Sequence, residues 1–213
     1  MLLYLNDTSP FARQVLITAI ECGTIGIELK WIDPWESPTE LIKKNPYSMV
    51  PVLVLDDGRS LYESNLICEY LINQSELDSK SILNTNYNSF DQLGIYALGK
   101  NLMDVSFRKV IFDRFHKGVS PISIRSDTAI QRALLELESF TLSEDVTKIN
   151  SLSDICLSVA LQYIEFRIPK LFSKLGKNTE QWIKSISRIE SLKVTTPAKL
   201  GYKPEHISSL FEI

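Results

Sequence analysis

Lys44-Asn45-Pro46-Tyr47-Ser48-Met49-Val50-Pro51-Val52-Leu53-Val54 is the stretch on which the reading of this chain turns, with Leu61-Tyr62-Glu63-Ser64 shortly after it. Asn45-Pro46 is a turn signal, and the valine-rich run behind it reads as a buried strand. Pro51 sits at the start of that strand, where the N–H it lacks removes no ladder hydrogen bond. The backbone of Val50 is thereby left for another extended partner. The turn Asp56-Asp57-Gly58 leads to a second short strand, and Glu63-Ser64 opens an apolar helix. The exposed N–H groups of such a helix start are a ready site for a carboxylate.

Toward the N-terminus, Leu2-Leu3-Tyr4-Leu5 is a short buried strand, and Thr8-Ser9-Pro10 is a helix start with proline in the first turn. Phe11 to Glu21 has helical spacing, with Val15, Leu16, Ala19 and Ile20 on one face, and Gly23 and Gly26 supply the stop. Ile27 to Ile32 alternates as a second strand, so the opening is a βαβ unit. A polar loop over 33–37 and a short helix within Pro38–Lys44 precede the quoted stretch. Residues 1–75 therefore read βαβ-α-ββ-α, an α/β domain.

Toward the C-terminus, residues 74–88 are rich in Ser, Asn and Asp and lack apolar periodicity, which places a linker at 76–86. After it the strand signals end, and residues 87–213 read as an all-α domain. Helical spacing runs from Tyr87 to about Lys117, is broken by Gly118 and Pro121, and resumes from Ser123 to about Leu142. Ser151-Leu152-Ser153-Asp154 is a capping-box arrangement with Asp in place of Glu, and the apolar run behind it marks a central helix. A last amphipathic helix covers Asn178–Ile189. Tyr202–Ile213 is a tail that either caps the site or packs on the surface.

The 213 residues, 44% of them hydrophobic, suffice for one large domain or two small ones. A net charge of −3 and the lack of a basic run argue against nucleic acid as a partner. Cys22, Cys68 and Cys156 are too few and too scattered for a disulfide framework or a zinc site, and His116 and His206 add no ligand pair, so no metal is expected. Sparse free cysteines fit a reducing, cytoplasmic setting. No run approaches ~18 apolar residues, so neither a membrane span nor a signal peptide is expected.

The ordered set Asn45-Pro46, Val50-Pro51-Val52-Leu53 and Glu63-Ser64 resembles the glutathione-binding half of the glutathione S-transferase superfamily. The segment with Lys43-Lys44, Tyr62-Glu63-Ser64 and Cys68-Glu69-Tyr70-Leu71 is most similar to the omega class, and Ser151–Asp154 to the family's capping box before its central helix. The resemblance covers the whole chain. It implies a thioredoxin-like domain at 1–75, an all-helical domain at 87–213 that contributes the electrophile pocket, and a homodimer. It also implies glutathione as co-substrate and a cis bond at Val50–Pro51.

By position, Ser9 is the sharpest chemical candidate. It ends the first strand and caps the first helix, where the dipole favours an anion and cysteine pKa values fall. The plain alternative is an ordinary N-cap serine. The resemblance puts Ser9 in the place of the residue that meets the glutathione sulfur, with Thr8 as a backup hydroxyl and Asn6 behind it. It assigns Glu63 to the γ-glutamyl ammonium, Ser64 to its carboxylate and the Val50 backbone, preceding Pro51, to the cysteinyl moiety, with Phe11 also lining the glutathione site. Met49 stands where relatives carry Lys or Gln, so Lys44, Lys43 or Ser37 is left to meet the glycyl carboxylate. Arg13 is read as a solvated or ion-paired helix residue, or as a support for the thiolate. Met103, Phe107, Tyr163 and Phe166, with Val110, are expected in the second-substrate pocket between the domains, although such residues are more often core.

Serine cannot form the mixed disulfide that omega-type thiol transfer needs. The expected reaction is conjugation of glutathione to a small hydrophobic electrophile, or reduction of an organic hydroperoxide. Two alternatives stand beside it. One is a glutathione-dependent isomerase or dehalogenase. The other is a non-catalytic interaction protein of the same fold, a reading fed by Met49 and by Gly99-Lys100, where bacterial relatives often carry Ala-Asp.

Overall fold

A computed structural model describes residues 1–77, 89–118 and 120–212. The strand-forming runs become β1 (Leu2–Leu5), β2 (Glu28–Trp31), β3 (Val52–Val54) and β4 (Ser60–Tyr62), in one sheet of order β2-β1-β3-β4. β1 pairs parallel with β2 and antiparallel with β3, in the register Leu3↔Leu29 and Leu3↔Leu53. β3 and β4 form an antiparallel pair. Val52, Leu53 and Val54 are all buried, which explains why their run is continuous in hydrophobicity rather than alternating.

Helix α1 (Pro10–Glu21) follows β1, with Ser9 as its N-cap and Pro10 in its first turn. Helix α2 (Thr39–Ile42) is a single turn, and α3 (Ser64–Gln74) follows β4. α1 packs against α3. This is the expected thioredoxin-like arrangement, followed by a helical region.

That region opens with α4 (Phe90–Phe115) and α5 (Pro121–Glu136). Pro121, expected as a breaker, begins α5: proline's missing N–H is harmless in a first turn, and Ser120 caps it by accepting from Ile122 N–H. The central helix α6 (Leu152–Arg167) is buried at every position from Leu152 to Leu161. Ser151 accepts from Asp154 N–H at 3.1 Å, while the Asp154 carboxylate accepts from Asn150 N–H at 3.0 Å and from the Ser143 hydroxyl at 2.7 Å. α4 and α6 touch where Gly99 faces Leu157, whose backbone is 3.0 Å from where a Cβ would stand. Gly99 thus marks a close helix crossing.

After α7 (Pro169–Phe172) and α8 (Lys177–Ile186) come two short helices that the sequence did not announce, α9 (Glu190–Val194) and α10 (Pro197–Leu200).

Two compact units emerge: the described residues of Met1–Asn84 together with Glu190–Ile213, and those of Thr85–Ile189. The first unit therefore takes residues 190–212 from the stretch expected as one helical domain, 87–213. Most of the expected linker, from residue 78 on, and the expected helix start at Tyr87 lie outside the described residues. The tail runs along β2: Leu29 N–H donates to Glu205 C=O at 2.7 Å and Ile207 N–H to Ile27 C=O at 3.1 Å. It packs on the sheet's edge and covers backbone groups that would otherwise stay open.

Candidate functional site

The two helix starts of the first unit treat their hydrogen-bond groups differently. At α1, Ser9 has extended backbone (φ −77°, ψ 118°), and its Oγ accepts from Ala12 N–H at 3.2 Å. Its hydroxyl proton has no acceptor among the described residues. Thr8 is the opposite case: its hydroxyl donates to Asn6 Oδ1 at 3.0 Å, and its N–H reaches the same atom at 3.2 Å. Asn6 in turn donates to Ile32 C=O at 3.2 Å. Of the two hydroxyls expected near a thiol, Ser9 alone has an uncommitted proton, set at the positive end of a helix.

At α3, Glu63 lies at φ +83° and ψ +115°, a conformation rare for any residue with a Cβ. Its carboxylate turns back and accepts from Asn65 N–H and Leu66 N–H, both at 3.1 Å, and from the Asn65 side chain at 3.2 Å. Glu63 is thus the helix cap, the plain alternative to the expected ammonium-binding role. A carboxylate has further lone pairs for an incoming donor. The Ser64 N–H and hydroxyl take no hydrogen bond among the described residues, although Ser64 is buried.

Between the helix starts runs the Val50–Pro51 loop, with the peptide bond cis as expected. Val50 is half-buried, and its N–H and C=O take no partner among the described residues. The loop is braced by Asn45, which is buried; its side chain donates to Met49 C=O at 2.9 Å and accepts from Tyr47 N–H at 3.1 Å. Met49 itself is exposed. Lys44 Nζ donates to Gly58 C=O at 3.3 Å, on the turn between β3 and β4. Phe11 is half-buried in the first turn of α1.

Sequence reasoning missed three positioning residues: Asn45, Gln14 and Asn65. Gln14, buried in α1, donates to Asn65 Oδ1 at 3.1 Å, and Asn65 holds Glu63. A polar bridge thus fixes one helix start relative to the other. The available signal was an amide inside an otherwise apolar helix face.

Arg13 corrects its own expectation. It is buried rather than solvated and has no ion pair among the described residues; its Nη2 donates to Leu192 C=O at 2.9 Å and its Nε to Thr195 Oγ1 at 3.3 Å. Burial lowers its pKa to about 10, so it keeps its charge at neutral pH. Cys22 and Cys68 are also buried, and burial raises their thiols to about 11 and about 12, which leaves them inert. A cavity of about 290 Å³ lies at the carboxyl ends of β1 and β2, lined by Asn6, Asp7, Trp31, Ile32, Asp33 and Lys203.

In the second unit, Met103 and Tyr163 are buried, Phe107 is half-buried and Phe166 is exposed. Among the described residues no group of His, Cys, Asp or Glu is placed to hold a metal ion, and no helix is long and apolar enough to cross a membrane.

A mixed four-stranded sheet, a cis proline before β3 and open donors at the starts of α1 and α3 define a thioredoxin-like domain that can grip an extended peptide. Residues 8–74 match the family model described as glutathione S-transferase, N-terminal domain. A GST-like protein of Escherichia coli (strain K12), YibF, is 28% identical over 169 residues, covering 75% of this chain and 80% of that protein. A glutathione S-transferase of Methylobacterium radiotolerans, solved with glutathione sulfonate, superposes with a TM-score of 0.78 at 22% identity, over 92% of this chain and 94% of that one. One from Methylobacillus flagellatus KT, solved with GSH bound, gives a TM-score of 0.72 at 25% identity, over 92% and 98%. Residues 8–74 are thus similar to a glutathione S-transferase N-terminal domain, and the chain shares the fold of the solved glutathione S-transferases.

Proposed function

We propose that this protein binds glutathione along the Ser9–Val50–Glu63 face and activates its thiol for transfer to a small hydrophobic electrophile or for reduction of an organic hydroperoxide. The observation that carries the reading is the Ser9 hydroxyl. Its acceptor side is fixed by Ala12 N–H while its proton is left to donate, at a helix start that favours negative charge. A sulfur placed there is held as thiolate. Binding uses the open groups of Ser64, its N–H and hydroxyl, for the γ-glutamyl carboxylate and the Val50 backbone for the cysteinyl unit, with the Glu63 carboxylate meeting the ammonium. Phe11, Pro51 and Met49 flank the bound peptide. Lys44 is held at Gly58 and must leave that bond to meet the glycyl carboxylate.

In conjugation the thiol proton goes to solvent and the thiolate attacks the electrophilic carbon; the S–C bond forms as a leaving group departs with its electron pair, or as a conjugated C=C bond opens and its far end takes a proton from solvent. In the peroxidase variant the thiolate attacks oxygen, the O–O bond breaks and alcohol leaves; a second glutathione then closes the disulfide and releases water. Neither route needs a protein nucleophile. The relative solved with GSH bound supports the ligand. The helical region supplies the second-substrate residues Met103, Phe107, Tyr163 and Phe166 in this proposal.

The test is a pH titration of thiolate absorbance with glutathione added to the wild-type protein and to Ser9→Ala. A saturable thiolate signal below the free-thiol pKa of ~8.5 is expected, shifted upward by roughly one unit or more in the variant. An unchanged titration removes Ser9 from the mechanism. No saturable signal in either protein overturns thiol activation and leaves the non-catalytic reading.

A further inference from the structure

The cavity of about 290 Å³ is built within the first unit by Asn6 and Asp7 behind β1, by Trp31, Ile32 and Asp33 at the end of β2, and by Lys203 from the returning tail. Hydrogen bonds pin these segments to one another. Asn6 donates to Ile32 C=O at 3.2 Å, and the Trp31 indole donates to Pro204 C=O at 2.7 Å. Lys203 takes φ +53° directly before Pro204. Its own Cβ and the following proline both disfavour that backbone, which persists only where its surroundings hold it.

The walls carry charges that the fold leaves unused. Asp7 is half-buried, and neither its carboxylate nor the Lys203 ammonium takes a hydrogen bond or ion pair among the described residues. Asp33 uses only Oδ1, which accepts from Trp35 N–H at 2.9 Å. Asp7 and Asp33 outweigh Lys203, so the wall is negative and draws in a cation, and a concave surface concentrates that field. Lys203 favours a cation that also bears a carboxylate. The Trp31 ring, fixed through its N–H, adds an aromatic wall suited to a guanidinium.

This cavity is not the Ser9–Val50–Glu63 face. In the sheet order β2-β1-β3-β4 it lies on the β2 side of β1. Val50–Pro51 leads into β3 and Glu63 follows β4, on the other side of β1.

We propose that the cavity binds a basic α-amino acid, with Asp7 and Asp33 meeting its two positive groups and Lys203 its carboxylate. The site does not rest on the transferase reading.

The experiment is calorimetric titration of the full chain with L-arginine, with agmatine, which lacks the carboxylate, and with L-glutamate. Saturable binding of L-arginine is expected, and none of L-glutamate. Asp7→Asn should weaken arginine binding about tenfold, the loss of one charge-assisted contact. Lys203→Met should weaken arginine about threefold, the size of one exposed ion pair, and should not weaken agmatine. Neither side chain bonds within the described protein, so both variants keep the fold, and Asp33→Asn repeats the carboxylate test at a second position. The site is overturned by the absence of saturable arginine binding, by equal affinity for glutamate, or by unchanged arginine affinity in both aspartate variants. An equal loss of arginine and agmatine in Lys203→Met also overturns it. So does displacement of arginine by glutathione, because the cavity would then belong to the glutathione face. Arginine binding without a thiolate signal leaves this site standing and removes the transferase.

Discussion

Ser9 and Glu63 begin two helices by different means, and the difference is chemical. Ser9 uses one lone pair and keeps its proton, whereas Glu63 uses its carboxylate on its own helix and leaves Ser64 open. Glu63 also holds a left-handed backbone that favours glycine, a cost of the order of 1–3 kcal/mol where a residue with a Cβ adopts it. Stability and binding can therefore be separated at this position. Glu63→Ala keeps the strained backbone and loses the cap, so it should lower unfolding free energy by about 1 kcal/mol. Glu63→Gly loses the cap but relieves the backbone, and should be at least as stable as wild type. Both should bind glutathione more weakly by calorimetry if the carboxylate meets the ligand's ammonium. Denaturation midpoints with the glycine variant below the alanine one would refute the account. Ser9, Pro51 and Glu63-Ser64 were legible in the sequence because each sits at a boundary with its own turn or cap signal. The Gln14–Asn65 bridge was not, because it joins positions 51 residues apart and nothing local to either announces the other.

At the scale of elements, most helix positions followed from apolar spacing, while their starts followed from caps. Pro121 was misread because a proline after a glycine suits a break as well as a first turn, and Ser120 decides between them. What fixes α5 against α4 was less legible. Lys109 is buried in α4, with its Nζ 2.7 Å from Asp113 Oδ2, 2.8 Å from Asp127 Oδ1 and 3.0 Å from Ser123 Oγ. Burial alone would lower the lysine's pKa, but the two carboxylates more than offset it and the net direction is upward. The bond from Lys109 holds Asp113 below its ordinary range. A depressed carboxylate contributes stability above its unfolded pKa, near 3.9, and loses it as pH falls through the lower folded value. A raised lysine contributes below its unfolded pKa, near 10.4, and loses this as pH rises through the folded value. The cluster therefore holds the α4–α5 pair across the neutral range. Lys109→Met should lower the melting temperature at pH 7, where it leaves two carboxylates facing each other. The deficit should shrink in acid, as the pH falls through the lowered folded-state value of Asp113 and the wild-type ion pair is itself lost. A deficit independent of pH would assign the loss to packing instead of charge.

For the molecule as a whole, the chain returns to its first unit after Ile189, and this return is what the sequence concealed most. Composition and helical spacing change at the linker but not at residue 190, so 87–213 reads as one piece. The ties that pull Glu190–Ile213 back are single polar contacts spread over long separations. Ser191 donates to Glu21, the Trp31 indole donates to Pro204 C=O at 2.7 Å, and Arg13 reaches Leu192 and Thr195. Arg13 is the central tie because its buried charge has no carboxylate partner among the described residues and is met by a backbone and a hydroxyl oxygen. Arg13→Met fills much of the same space but removes both donors and leaves the Leu192 carbonyl without the donor it accepts from. One lost charge-assisted bond and one buried unsatisfied carbonyl together should cost roughly 1–3 kcal/mol. The loss should be local: hydrogen–deuterium exchange of 190–196 should speed up by about tenfold or more, while α6 amides in the second unit stay protected. Faster exchange throughout both units would show that the two units unfold as one, and unchanged exchange at 190–196 would show that the sheet-edge pairing of Glu205 and Ile207 holds the return without Arg13.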